Sequence, residues 1–194
     1  MRPTMAMAVM ATLAAAGGKG APTPARTVTI CMDSVHDIQI RFAVRGAADL
    51  FSAAGIRTAW HLDGSCQSSS DAVDVVMVSF LKGAPKTERP GSLAYALPYE
   101  GTHIVVYYDR VQRLAVSDGG PKGQVSLVLE YVLVHEITHL LEGVSRHSNG
   151  GIMKAHWDSG DYFEMARKKF VLSLIDIDLV NKGLHARALV ADRR

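Results

Sequence analysis

A chain of 194 residues with 48% hydrophobic and 21% charged positions has the composition of an ordinary globular protein and the length for one core. Its formal net charge is +2, and its lysines and arginines are scattered apart from Arg167-Lys168-Lys169 and the terminal Arg193-Arg194. Without a basic stripe, a nucleic-acid partner is not implied and none is expected.

Residues 1–26 differ from the rest. Met1-Arg2 precede an apolar stretch over 5–16 rich in Met, Ala, Val and Leu, and Gly17-Gly18-Lys19-Gly20 and Ala21-Pro22-Thr23-Pro24 follow it. This is the pattern of a short secretory signal with a small-residue cleavage zone and a linker. The apolar part is too short to cross a bilayer as a stable helix. Export to the periplasm or the cell exterior is therefore expected, with no stable membrane insertion; a disordered tail is the alternative. Residues 27–194 form one expected domain.

Within that domain, residues 26–32 alternate and are rich in β-branched side chains, predicting a strand. Residues 35–54 carry an amphipathic helical pattern stopped by Gly55, and 56–62 read as a second strand. The run 74–81 is almost continuously apolar, as in a strand covered on both faces. A loop punctuated by Gly and Pro follows over 82–91. Cys31 and Cys66 make one disulfide in an oxidising compartment or stay as two buried thiols, and both readings stand.

Residues 123–143 predict a helix. The stretch 124–134 is apolar on most sides, which suits a helix buried against a sheet, and Gly143 is its stop. On this helix stands His135-Glu136-Ile137-Thr138-His139. Positions i and i+4 project from one face a turn apart, so both imidazoles can reach a single Zn²⁺. Glu136, one residue round the helix, is kept off the metal and aimed at the attacking water as a general base. A hydrolytic zinc site with an open position takes three protein ligands, and His147, just beyond the helix-ending glycine, is the candidate for the third.

The run from His135 through His147-Ser148 to Ile152-Met153 resembles the metzincin zinc metalloproteases of the matrixin and adamalysin type. In that clan a glycine turns the chain back, a third histidine completes the site and a methionine turn supports the metal from below. The resemblance implies one catalytic Zn²⁺ on His135, His139 and His147, with Glu136 as catalytic base and Met153 as site support. Metzincins place the glycine three residues and the third histidine six residues after the second histidine; here Gly143 is four and His147 eight residues after His139. The eighteen residues from His135 to Met153 equal the matrixin spacing, so the third ligand is shifted within a preserved frame.

The same resemblance extends, less specifically, to 91–98 and 101–109, which are similar to the matrixin edge strand and the strand after it. It implies that extended substrate adds to the edge by backbone hydrogen bonds along 93–96, with Ala94 and Tyr95 as substrate-binding positions. The implied fold is zincin-like α/β (α+β): a mixed, mostly parallel twisted sheet with an antiparallel edge strand, packed on a long active-site helix.

The expected function is that of a zinc-dependent endopeptidase, a monomer acting on protein or peptide, with Tyr95, Tyr107 or His156 as oxyanion helper. Two other classes stay open: a zinc amidase acting on cell-wall peptides or another small amide, and a non-catalytic zinc-binding module, for which Glu136 would be superfluous. Glu164 becomes the third ligand if the chain is a gluzincin; Glu142, on the same helix as His139, is carried away from the site by helix direction. A plain loop role for His147 and a plain core role for Met153 are the remaining alternatives. His36, His61, His103 and His185 have no partner at ligand spacing.

Overall fold

The computed structural model describes residues 26–33, 36–64, 66, 74–83, 85, 91–96, 102–116 and 123–191. The expected leader over 1–25 and most of the loop over 82–91 lie outside the described residues. Strands β1 (Thr27–Met32), β2 (Arg57–His61), β3 (Val75–Leu81), β4 (Ala94–Ala96) and β5 (His103–Tyr107) form a sheet ordered β2-β1-β3-β5-β4. Every pairing is parallel except that of β4, which runs antiparallel to β5 at the edge. Helices α1 (Ile38–Ala53), α2 (Tyr108–Leu114), α3 (Val125–Glu142), α4 (Ser159–Ala166) and α5 (Leu174–Ala191) complete the domain. The mostly parallel sheet with its antiparallel edge, packed on a long helix, is the expected architecture.

Helix α1 starts where Asp37 caps it, its carboxylate accepting from the Gln39 N–H at 2.8 Å. The other Asp37 oxygen accepts from the Tyr108 hydroxyl at 2.8 Å, so the cap is pinned to the start of α2. Ile40, Ala43, Val44, Ala47 and Phe51, at helical spacing, are buried against the sheet and α3. The strand expected over 101–109 ends at Tyr107, and α2 takes over at Tyr108.

The run 74–81 departs from expectation. Val76 and Val78 are fully buried, but Val75, Met77 and Ser79 between them are only half-buried. The helices that seal the core press on one face of β3, so continuous apolar character marks a sheet with one sealed and one half-covered face. Cys31, at the end of β1, is bonded to Cys66, with Cα atoms 5.7 Å apart.

Two glycines set how closely helices approach α3. A Cβ on Gly46 of α1 would fall 1.9 Å from Glu130 Oε2, so the bare backbone leaves room for a buried carboxylate. Lys168 reaches that carboxylate at 2.9 and 3.2 Å. A Cβ on Gly183 of α5 would fall 1.8 Å from the Leu141 carbonyl oxygen. Arg187, one turn on, donates to the Leu140 carbonyl at 2.5 Å, setting a cation at the negative end of α3.

The obstacle at Gly183 is backbone, which cannot step aside. Gly183→Ala should cost about 2 kcal/mol or more of unfolding free energy. Gly83→Ala, which meets nothing within 4 Å, should stay within about 0.5 kcal/mol of the parent. Urea unfolding followed by circular dichroism measures both.

Candidate metal centre and cleft

Between Val128 and Glu142 every residue of α3 is buried except Glu136. A helix apolar on nearly all sides is enclosed by sheet and helices, and the enclosure opens at the glutamate of the His-Glu-x-x-His run. Gly143 then ends the helix in the left-handed conformation, φ 69°, with its N–H on the His139 and Leu140 carbonyls.

The structure brings His135, His139 and His147 together: one ring nitrogen from each lies within 4.8 Å of the others. The Nε2 atoms of His135 and His139 face one another at 3.0 Å. His135 Nδ1 lies 2.8 Å from the Ile152 carbonyl oxygen. A carbonyl only accepts, so the proton sits on Nδ1 and the Nε2 lone pair points into the cluster. Trp157 Nε1 donates to the same carbonyl at 3.2 Å, and its ring packs edge-on against His135. Glu164 is not in the cluster, and the Glu142 carboxylate turns instead toward Arg146, at 3.4 Å.

The turn after His147 closes through its backbone. Ser148 N–H donates to the Met153 carbonyl at 2.8 Å, and Lys154 N–H to the Gly151 carbonyl at 3.2 Å. Gly151 has φ 74°, and a Cβ there would crowd the Val171 carbonyl at 3.1 Å. Met153 itself is fully buried in the core, and its carbonyl holds the Ser148 amide beside His147.

Burial governs the electrostatics. It lowers His135 to about 4, against the favourable Ile152 carbonyl and with help from His147. His139 falls to about 3, through burial first and then the neighbouring His135 and His147 rings. His147 is lowered too, by burial, His156 and Arg146. Three bases packed so tightly are neutral at pH 7, leaving nitrogen lone pairs for a cation without competition from protons. Three neutral imidazoles with an oriented Nε2 form a donor set that fits zinc. Burial raises Glu136 to about 8, opposed by a hydrogen bond from the Ala96 N–H. A dication beside it would draw that value back down.

The cluster floors a cleft of about 1290 Å³ walled by β4, α2 and the turn after Met153. Ala94, Tyr95 and His156 line it, as do Trp157 and Tyr162; Tyr107 is fully buried and does not. The register of β4 decides which backbone groups face the cleft. Tyr107 N–H donates to the Leu93 carbonyl, making 93 and 107 a hydrogen-bonded pair. By alternation Tyr95 is paired with Val105, and Ala94 and Ala96 direct their backbone groups outward. Ser92 Oγ donates to the Ala94 carbonyl at 2.7 Å, and the Ala96 N–H serves Glu136. Tyr95 therefore offers the cleft its side chain, and Ala96 joins the site through its amide. Neither Ala96 nor Trp157 has a spacing in the sequence that would reveal it.

No family model and no curated protein matches the chain. Solved structures do. A zinc-dependent peptidase from Methanocorpusculum labreanum superimposes with a TM-score of 0.52 at 13% identity, over 79% of this chain and 99% of that one. Archaemetzincin from Methanopyrus kandleri superimposes with a TM-score of 0.51 at 14% identity, over 82% and 95%. At that identity the likeness is one of fold.

Glu142 titrates separately from the cluster. Burial pushes it from 4.5 up to about 7, with Arg146 opposing and Asp176 adding to the rise. The folded chain then holds a proton that the unfolded chain releases near 4.5. Between those values the native state binds more protons, and stability falls as pH rises. Glu142→Gln removes this titration, so its stability relative to the parent should climb from pH 4.5 to 7 and then level off. Denaturant midpoints of both proteins across that window measure it, and a flat difference would refute the assignment.

Proposed function

We propose that the protein is a zinc-dependent peptidase, an endopeptidase of metzincin type, with His135, His139 and His147 holding one Zn²⁺ and Glu136 as general base. The observation that carries this reading is the convergence of three imidazole nitrogens within 4.8 Å on a cleft floor where Glu136 is the one residue of the helix segment left open. The fold shared with a zinc-dependent peptidase and with archaemetzincin supports it.

Zinc, when bound, supplies a Lewis acid that polarises the scissile carbonyl and acidifies the attacking water. The chain supplies the rest. An extended peptide lies along β4, aligned by the outward backbone groups of Ala94. Glu136, steered by the Ala96 amide, takes the proton of the water as its oxygen adds to the carbonyl carbon, then delivers it to the amide nitrogen, so that the C–N bond breaks with a neutral amine leaving. Tyr95 and His156, both on the cleft wall, are the candidates to steady the oxyanion. We also read the chain as exported to an oxidising compartment; the Cys31–Cys66 bond supports this, since such bonds persist there.

Metal analysis of purified protein should return one zinc per chain, removed by chelator and restored by Zn²⁺; zero or two tightly held ions would contradict the single site. Glu136→Gln keeps size and hydrogen bonding but takes no proton. It should retain zinc and fold while turnover of casein or a mixed-peptide digest falls about 100-fold or more. Equal turnover would remove Glu136 from the mechanism, and a parent that binds zinc but cleaves nothing in such a set would favour the narrow amidase or the binding module.

A further inference from the structure

The turn between α3 and His147 is tied to the protein interior by the residue just before the histidine. Gly143, Val144, Ser145 and His147 are exposed. Arg146 instead turns its guanidinium inward onto two carboxylates: Glu142, the last residue of α3, at 3.4 Å, and Asp176, in the first turn of α5. Both acidic side chains are wholly buried. Asp176 is itself held in place, because Ser173 N–H donates to its Oδ2 at 2.8 Å while its own N–H donates to Ser173 Oγ at 3.2 Å. This reciprocal cap fixes the start of α5.

One guanidinium nitrogen, Nη2, reaches buried carboxylates from two helices, and this shared contact limits the freedom of the chain at 146. On the far side of the histidine, the Ser148 N–H on the Met153 carbonyl fixes the chain again. His147 is thus suspended between two fixed points. The stretch needs them, because seven residues lie between His139 and His147 and the part beyond the helix has conformations to lose.

Resting on the reading of His147 as the third zinc donor, we propose that Arg146 is a positioning residue: its tie to Asp176 and Glu142 presents the His147 ring to the metal and so sets zinc affinity.

A double-mutant cycle tests this. Metal-free parent, Arg146→Met, His147→Ala and the double variant are titrated with Zn²⁺ in competition with a chromophoric chelator. Arg146→Met should weaken binding about 10- to 100-fold, the scale for groups that orient a metal ligand. In the His147→Ala background the same change should matter by less than about threefold, because the residue through which it acts is gone. Equal weakening in both backgrounds, or none in the parent, would overturn the proposal.

Removing the arginine alone strands two buried acids and can cost folding. Arg146→Met combined with Asp176→Asn removes a charge together with its partner. It should recover thermal midpoint without recovering zinc affinity; recovery of both would assign Arg146 a purely structural role. If His147→Ala by itself leaves affinity unchanged, the three-histidine reading fails, and the positioning role with it.

Discussion

Enclosing α3 is the constraint on which the rest of the structure depends. The helix is apolar on nearly every side, so it has to be covered by α1, the sheet and α5, and the fold is in large part the means of covering it. Close coverage uses glycine where partner helices meet α3, Gly46 against the Glu130 side chain and Gly183 against the Leu141 backbone. It also leaves a small aperture, and Glu136 stands at it.

Three carboxylates on α3 differ in what meets them. Glu130 is met by Lys168 and Glu142 by Arg146, cations contributed from beyond the helix, and both pairs tie packing elements together. Glu136 is met by a backbone amide and borders the cleft. Burial raises the proton affinity of all three, and at Glu130 and Glu142 the neighbouring cation opposes that rise. At Glu136 the opposing partner is a neutral amide, and the carboxyl is raised to about 8 on the wall of the cleft. The two histidines on the same helix are lowered by the same burial, so one enclosure prepares both nitrogen donors and the carboxylate.

What could be read in advance follows the range of the interactions involved. The helical span, the paired histidines and the glycine stop are set within a few residues of chain, and α3 runs over Val125–Glu142 as its periodicity indicates. The strands at 27–32, 57–61 and 75–81 were legible for the same reason, as short β-rich runs, while their mostly parallel arrangement was implied by the family resemblance. The half-covered face of β3 was not, because continuous apolar character is common to one sealed face and two. The short α2 was hidden in a run that reads as extended through Tyr108, where a contact to Asp37, far back in the chain, marks the change. Ala96 and Trp157 act through a backbone amide and an indole N–H, and Arg146 through acids on two different helices; no residue type or spacing announces such roles.

The register of β4 bears on how open the sheet edge is to other chains. An edge strand with free amides and carbonyls invites pairing with other chains, and proteins suppress this by shortening or blocking the edge. β4 is only three residues long, its Ala94 carbonyl is claimed by Ser92 from the same strand end, and its Ala96 amide by Glu136. The edge is therefore chaperoned by its own neighbours. An incoming strand meets an amide already engaged and a carbonyl already sharing its lone pairs with a serine hydroxyl, so the edge offers less than its length implies.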